Sequence, residues 1–383
     1  MVLLAGWWSF LSAYLLYCAI DNALFFARPP KIDSKRRNWP MISVLIPARN
    51  EAARIEPCLK SLLAQDHPNF EILVLDDRST DDTFNLIQKY ASKNSEKIGR
   101  SLKILRGKKL PKGWLGKPWA CYQLSLKAKG KWLFFVDADT WHLPETLKRT
   151  TQMAEIQKAD VLSLLTRQVT KTWMEALVIP IMIFHLLSFF PARWVLRPQS
   201  RFNRFAGVSG QFIFVRKMAY QAIGGHQAVK NEIVEDLNFG KLLAKAGFRV
   251  VIGNGTDFSF CRMYTNTLEV WNGFSKNFFP AVGYSIPALI AAVLILWLNG
   301  LLPFIFLIIG IRTILFWPAF ALCLVLCIVR LLEAVQYGMN RTSVFFHPLG
   351  CFLFSLIAMN SFRWFGIKGY GLWKGRKILK PIN

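Results

Sequence analysis

The chain has 383 residues, 53% of them hydrophobic, with a mean hydropathy of +0.29. That is too apolar for a purely soluble protein and long enough for more than one domain. Lys and Arg number 48 against 23 Asp and Glu, a formal charge of +25 that suits either nucleic acid or an anionic membrane surface. The seven cysteines show no zinc or redox spacing and the five histidines no paired metal spacing, so neither a zinc module nor a disulfide scaffold is indicated.

Leu3 to Ala27 is the first long apolar run, interrupted near its end by Asp21-Asn22. It has no basic residue ahead of it, as a cleaved secretory signal would, so residues 1–27 read as a membrane anchor. Arg28, Lys31, Lys35, Arg36 and Arg37 follow, which places this flank in the cytoplasm and the N-terminus outside.

Residues 28–279 are a mixed segment of about 250 residues, enough for a catalytic domain with its own core. Met41 to Ile46 is a buried strand, Pro47 to Glu51 a turn, and Ala52 to Ala64 has helical spacing. Phe70 to Leu75 is a second strand ending at Asp76-Asp77, and Ser79-Thr80-Asp81-Asp82 starts a helix through Phe84, Leu86, Ile87 and Tyr90. Leu102 to Leu105 is a third strand, Trp119 to Ala128 a helix, and Trp132 to Val136 a fourth strand. Strands alternating with helices predict an α/β domain with a mostly parallel sheet. Ligands in such sheets bind beyond the carboxyl ends of the strands. Pro47–Glu51, Asp76-Asp77 and Asp137-Ala138-Asp139 all fall at that edge.

Asp137-Ala138-Asp139 is the most informative of these. Two carboxylates one residue apart at a strand end are expected to point past the sheet on one face. Mg²⁺ or Mn²⁺ takes such ligands, completing its shell with substrate phosphates. An isolated D-x-D also fits two solvated turn aspartates; two further polar clusters at the same edge favour the metal.

Trp173 to Trp194 is almost wholly apolar yet lies inside the mixed segment. We expect an interfacial element near residues 173–197, with Trp173, Arg193, Trp194 and Arg197 at head-group level, holding the active site beside the bilayer. A buried core helix is the alternative.

Ile286 to Trp297, continuing a run that begins near Pro280, is the second long apolar run, and Leu301 to Val329, broken by Arg312, the third. Phe345 to Met359 is short of the roughly 20 residues a span needs. Residues 280–362 therefore read as transmembrane or re-entrant helices. Residues 363–383 carry six Lys and Arg and no acid, which reads as a cytoplasmic tail. Both flanks of 280–362 then lie inside, and an even number of crossings after Phe279 is expected. With the basic groups flanking membrane runs, lipid head groups are the expected partner and nucleic acid is not.

Together these motifs resemble the family 2 glycosyltransferases. VLIPARNE (Val44–Glu51) is similar to the first strand and nucleotide-binding turn of that family. LDDRSTDDT (Leu75–Thr83) is similar to its V-D-D-G-S-T-D-D-T signature, with Arg78 where glycine is usual. VDADT (Val136–Thr140) resembles its D-x-D strand, GVSGQFIFVRK (Gly207–Lys217) its acceptor-side strand, and EDLNFGKLLAKAGFRV (Glu235–Val250) its E-D helix. The Q-x-x-R-W segment of processive synthases is missing, which argues against a cellulose- or hyaluronan-type polymerase. LPKGWLGKPWA (Leu110–Ala120) and Trp373-Lys374-Gly375-Arg376 resemble a narrower branch, the hopanoid-associated and carotenoid-type lipid glycosyltransferases.

The resemblance implies a GT-A fold and inverting, metal-dependent transfer of one sugar from a nucleotide-sugar, by family habit a uracil nucleotide, to an apolar lipid alcohol or acid. It makes Asp236 the general base and Glu235 its support. Asp139 would contact the metal, and Asp137 the ribose or a metal-bound water. Asp76 and Asp77 would accept from the base of the nucleotide, with Pro47, Ala48, Arg49 and Glu51 framing the nucleoside. Lys117 would meet the phosphates. Arg262, Trp271 and Lys276 are donor-phosphate or acceptor candidates by position alone. A polyprenyl-phosphate or ceramide glycosyltransferase is the alternative within the class, and an inactive membrane scaffold the alternative outside it.

Overall fold

The computed structural model describes residues 1–33, 36–94, 100–196 and 207–380. Arg197 lies outside them. The chain divides into two compact units: one of residues 27–167 and 194–263, the other of residues 1–26, 168–193 and 264–383.

The first unit is built on a seven-stranded sheet. Its strands run in the order Arg100–Arg106 (β3), Phe70–Asp76 (β2), Ile42–Ala48 (β1), Trp132–Phe135 (β4), then Ile213–Arg216, Val161–Leu165 and Val250–Asn254. β1 pairs in parallel with both β2 and β4, and β2 with β3. Ile213–Arg216 runs antiparallel to both its neighbours, so the sheet is mixed on that side. β1, β2 and β4 are nearly continuous apolar runs because both faces are covered. Alternation along β1 sends Ile42, Val44 and Ile46 to one face with Ile55, Cys58, Leu59 and Leu62 of the helix Ile55–Leu63. Leu45, with Leu73 and Leu75 of β2, faces Ala120, Cys121 and Leu124 of the helix Gly116–Lys127.

Two left-handed backbone positions mark the turns at the carboxyl edge, Asn50 (φ 52°) and Arg78 (φ 57°). Asparagine tolerates this region; arginine is strained there by about 1–2 kcal/mol. The glycine usual at that place in the family signature is what the backbone asks for.

The second unit is helical. Among its described residues, and by length and composition, four helices can cross a membrane: Val2–Phe25, Ile286–Ile309, Phe316–Gln336 and His347–Ile367. The apolar run at Phe345–Met359 thus belongs to a helix long enough to span, and three such helices follow Phe279. The second is interrupted at Leu301, where Ile286–Gly300 gives way to Leu302–Ile309. Val2–Phe25 packs on Phe316–Gln336, with Trp8, Leu11 and Leu15 against Ala319, Leu322 and Leu326.

Trp173–Leu187 is a member of this unit and packs against His347–Phe362. Most of its residues are buried, while Trp173 near one end and Leu186 near the other are exposed. Tyr370–Trp373 and Arg376–Leu379 form an antiparallel hairpin. Lys374 and Gly375, both at positive φ, make its two-residue turn, so the W-K-G-R motif is a hairpin corner.

Candidate active site

The carboxyl ends of β1, β2 and β4 carry the polar clusters. Register aligns Ala48 with Asp76, so the two turns start side by side. Asp77 N donates to the Ala48 carbonyl at 2.7 Å, and the Arg49 guanidinium donates to the Asp77 and Arg78 carbonyls at 2.7 and 2.8 Å. Asp76 Oδ1 accepts from Ser79 N at 3.3 Å, and Glu51 N donates to Thr83 Oγ1 at 2.8 Å. Asp76, Asp77 and Glu51 are all buried. Pro47, Ala48, Arg49, Glu51, Asp76 and Asp77 thus form one tied floor.

The D-x-D differs from its expected form. β4 ends at Phe135, and Asp137 to Asp139 lie in a turn, so strand alternation does not place the two carboxylates. Thr140 closes the turn, its N–H and Oγ1 donating to the Asp137 carbonyl at 3.2 and 2.8 Å. The side chains then find different partners. Asp137 Oδ1 takes the Lys117 ammonium at 2.7 Å, and Asp139 Oδ1 accepts from Cys261 Sγ at 3.5 Å.

Lys117 is the hub. It enters at the start of the helix Gly116–Lys127, and its Nζ also lies 3.1 Å from Glu235 Oε1. Burial alone would pull the ammonium down, but Asp137, Glu235 and Asp236 outweigh it and hold its pKa well above the usual lysine value. Glu235 and Asp236 open the helix Glu235–Lys245. Gly210 N donates to Asp236 Oδ2 and Leu237 N to Oδ1, each at 2.8 Å. Burial and the neighbouring Glu235 push Asp236 up to about 6, against the pull of Lys117 and the two amides. That is the range a general base needs near neutral pH.

Gly210, quoted in the acceptor-side motif but given no role by sequence, sits at the centre. A Cβ there would stand 2.6 Å from Lys117 Nζ, 3.3 Å from Asp236 Oδ2 and 3.6 Å from Asp137 Oδ2. A methyl group would displace the ammonium from its ion pairs. Cys261 and Cys58, both fully buried beside the D-x-D turn, carried no signal in the sequence beyond core packing. His226 is buried against Phe135, Tyr220 and Phe239, the setting of a core histidine.

Arg262 belongs to this unit, its N–H donating to the Asp139 carbonyl at 3.2 Å. Trp271 and Lys276 do not; they lie on the helix Thr267–Ala281 of the helical unit, with Lys276 Nζ 4.8 Å from the Trp373 ring.

Among the described residues no three His, Cys, Asp or Glu side chains are grouped to hold a metal unaided. Two carboxylates still suit Mg²⁺ or Mn²⁺, which takes one or two from protein and the rest from substrate phosphates and water.

Glycosyl transferase family 2 matches residues 43–224. The chain is 28% identical over 285 residues to the 4,4'-diaponeurosporenoate glycosyltransferase of Staphylococcus aureus strain MRSA252, covering 73% of this chain and 72% of that protein. The protein of the same name from strain RF122 / ET3-1 is 27% identical over the same share. In structure the chain is similar to the mannosyltransferase PcManGT of Pyrobaculum calidifontis, solved with GDP-Man and Mn²⁺: the TM-score is 0.53 at 14% identity, over 94% of this chain and 98% of that one. The chain therefore carries a glycosyl transferase family 2 domain of GT-A fold, together with helices long and apolar enough to cross a membrane.

Proposed function

We propose that this protein moves a single hexose from a UDP-sugar to a lipid acceptor, a carotenoid or related isoprenoid, with inversion at the anomeric carbon and with the catalytic unit facing the cytoplasm. One observation carries the reading: Asp137, Lys117, Glu235 and Asp236 converge around Gly210 beyond the carboxyl ends of the strands.

In this reading the nucleoside rests on the floor of Pro47–Glu51 with Asp76 and Asp77, and the sugar faces Asp236. Asp139 and Asp137 would hold the divalent cation with the pyrophosphate. That cation would supply Lewis-acid stabilisation of the leaving diphosphate. Lys117, already between the donor-side and acceptor-side carboxylates, adds a positive charge beside the same group. The acceptor oxygen bonds to the anomeric carbon as the bond to the phosphate oxygen breaks, and the electron pair leaves with the nucleoside diphosphate. An alcohol acceptor gives its proton to Asp236. A carboxylate acceptor, as the relatives' name describes, arrives without one and asks no proton transfer of Asp236. Apolar helices on the same chain suit a substrate that lives in the bilayer.

The test is transfer of labelled hexose by the purified full-length protein in vesicles containing a carotenoid alcohol or acid. UDP-glucose with Mn²⁺ is expected to give a labelled lipid that Asp236→Asn abolishes for the alcohol. No labelled lipid from a panel of uracil, guanine and thymine nucleotide-sugars would refute the reading.

A further inference from the structure

We propose that Cys261 is a positioning residue for Asp139: its thiol and the following backbone amide together present the second aspartate of the D-x-D to the divalent cation. This rests on the assignment of Asp139 to the metal made above.

The short strand Ser259–Cys261 pairs antiparallel with Thr140–His142, setting Cys261 opposite Thr140, the residue that closes the D-x-D turn. From that register it grips Asp139 twice. Cys261 Sγ donates to Asp139 Oδ1 at 3.5 Å, and Arg262 N donates to the Asp139 carbonyl at 3.2 Å. Cys261 is fully buried, so its thiol holds one geometry. The preceding aspartate is gripped elsewhere, by Lys117 on its carboxylate and Thr140 on its carbonyl. A cysteine held only for packing would turn its sulfur to apolar neighbours; this one turns it to a carboxylate oxygen. The S–H group is a weak donor, and the Arg262 amide holds the backbone of the same residue. Outer-shell partners of this kind typically change metal affinity or activity by about 10–100-fold when replaced.

The experiment is Mn²⁺ titration of the purified full-length protein with UDP present and no acceptor, read as free Mn²⁺ by electron paramagnetic resonance. Cys261→Ala should weaken Mn²⁺ by about tenfold or more, and Cys261→Ser, which keeps a donor, should recover most of that loss. Cys261→Val lacks the donor and leaves no cavity, adding about one methyl group, and gives the same reading if the alanine variant does not fold. Parental Mn²⁺ affinity in the donor-less variants would overturn the proposal. Asp139→Asn separates the layers. If it loses Mn²⁺ while Cys261→Ala does not, the clamp alone is wrong. If Asp139→Asn itself binds like the parent, the metal assignment fails and takes the clamp with it.

Discussion

The two units of this chain treat the same residue types in opposite ways. In the sheet unit most of the large apolar side chains are inside, and the acids and lysine of the site gather at the strand ends. In the helical unit Leu3, Ile308 and Trp317 are exposed at 91, 81 and 72%, while Arg330, Glu333 and His347 are buried. An exterior this apolar matches lipid, and polar groups inside such a unit are expensive unless they are partnered. Arg330 reaches Ser343 and lies 3.4 Å from His347 Nδ1, and Glu333 accepts from Ser188. Each unit is thus built for a different solvent, and the transfer chemistry is assigned to the one built for water.

The largest expected effect breaks the chemistry and leaves the membrane architecture alone. Asp236→Asn removes the proposed base but keeps the shape. Transfer to an alcohol acceptor should fall by roughly 10²–10⁴-fold while the dissociation constant for the nucleotide-sugar, measured by calorimetry, stays at the parental value. Equal rates for variant and parent would remove Asp236 from the role.

A charge placed on each exterior sharpens the comparison. Leu324, half exposed near the middle of Phe316–Gln336, should resist Lys by about 2.5–3.5 kcal/mol if that face meets lipid. Met218, exposed at 68% in the sheet unit, should accept Lys within about 0.5 kcal/mol. Denaturant unfolding in nanodiscs reads both. Equal costs would contradict the division of solvents.

The pH profile comes next. Asp236 is displaced upward to about 6, so its protonated form gains below that pH and the base is lost. For an alcohol acceptor kcat/KM should fall about tenfold per pH unit below 6 and level off above it. A carboxylate acceptor needs no proton removed, and its profile should lack that limb. The smallest effect is local. Arg78→Gly relieves the left-handed strain but loosens the unfolded chain by about 0.5–1 kcal/mol, so a net gain of at most about 1.5 kcal/mol, or roughly 3–6 °C in Tm, is expected by calorimetry.

Much of the sheet was legible in advance, because strands covered on both faces read as nearly continuous apolar runs and the helix Thr83–Asn94 follows a clear start signal. The D-x-D turn was not. Its strand ends at Phe135, two residues short of Asp137, and a turn obeys its own hydrogen bonds, not strand alternation. Lys117 was legible as a phosphate candidate through its motif, but its contacts with Asp137 and Glu235 arise from chain crossovers that no local pattern encodes. Gly210 was visible only as one glycine of a motif; its value lies in a Cβ that is absent. Cys261 gave no signal because its partner is 122 residues away. The helix Trp173–Leu187 packs within the helical unit, a partner that hydropathy alone does not name.

The central claim is that the sheet unit transfers a sugar to a lipid through Asp236. Mass spectrometry of lipid extracts from cells expressing the parent chain, the Asp236→Asn variant or neither tests it most directly. The account predicts a lipid shifted by one hexose in cells with the parent and not in cells lacking the protein, and its loss in the variant when the acceptor is an alcohol. A parental lipid profile identical to that of cells lacking the protein, with the chain folded in the membrane, would contradict it.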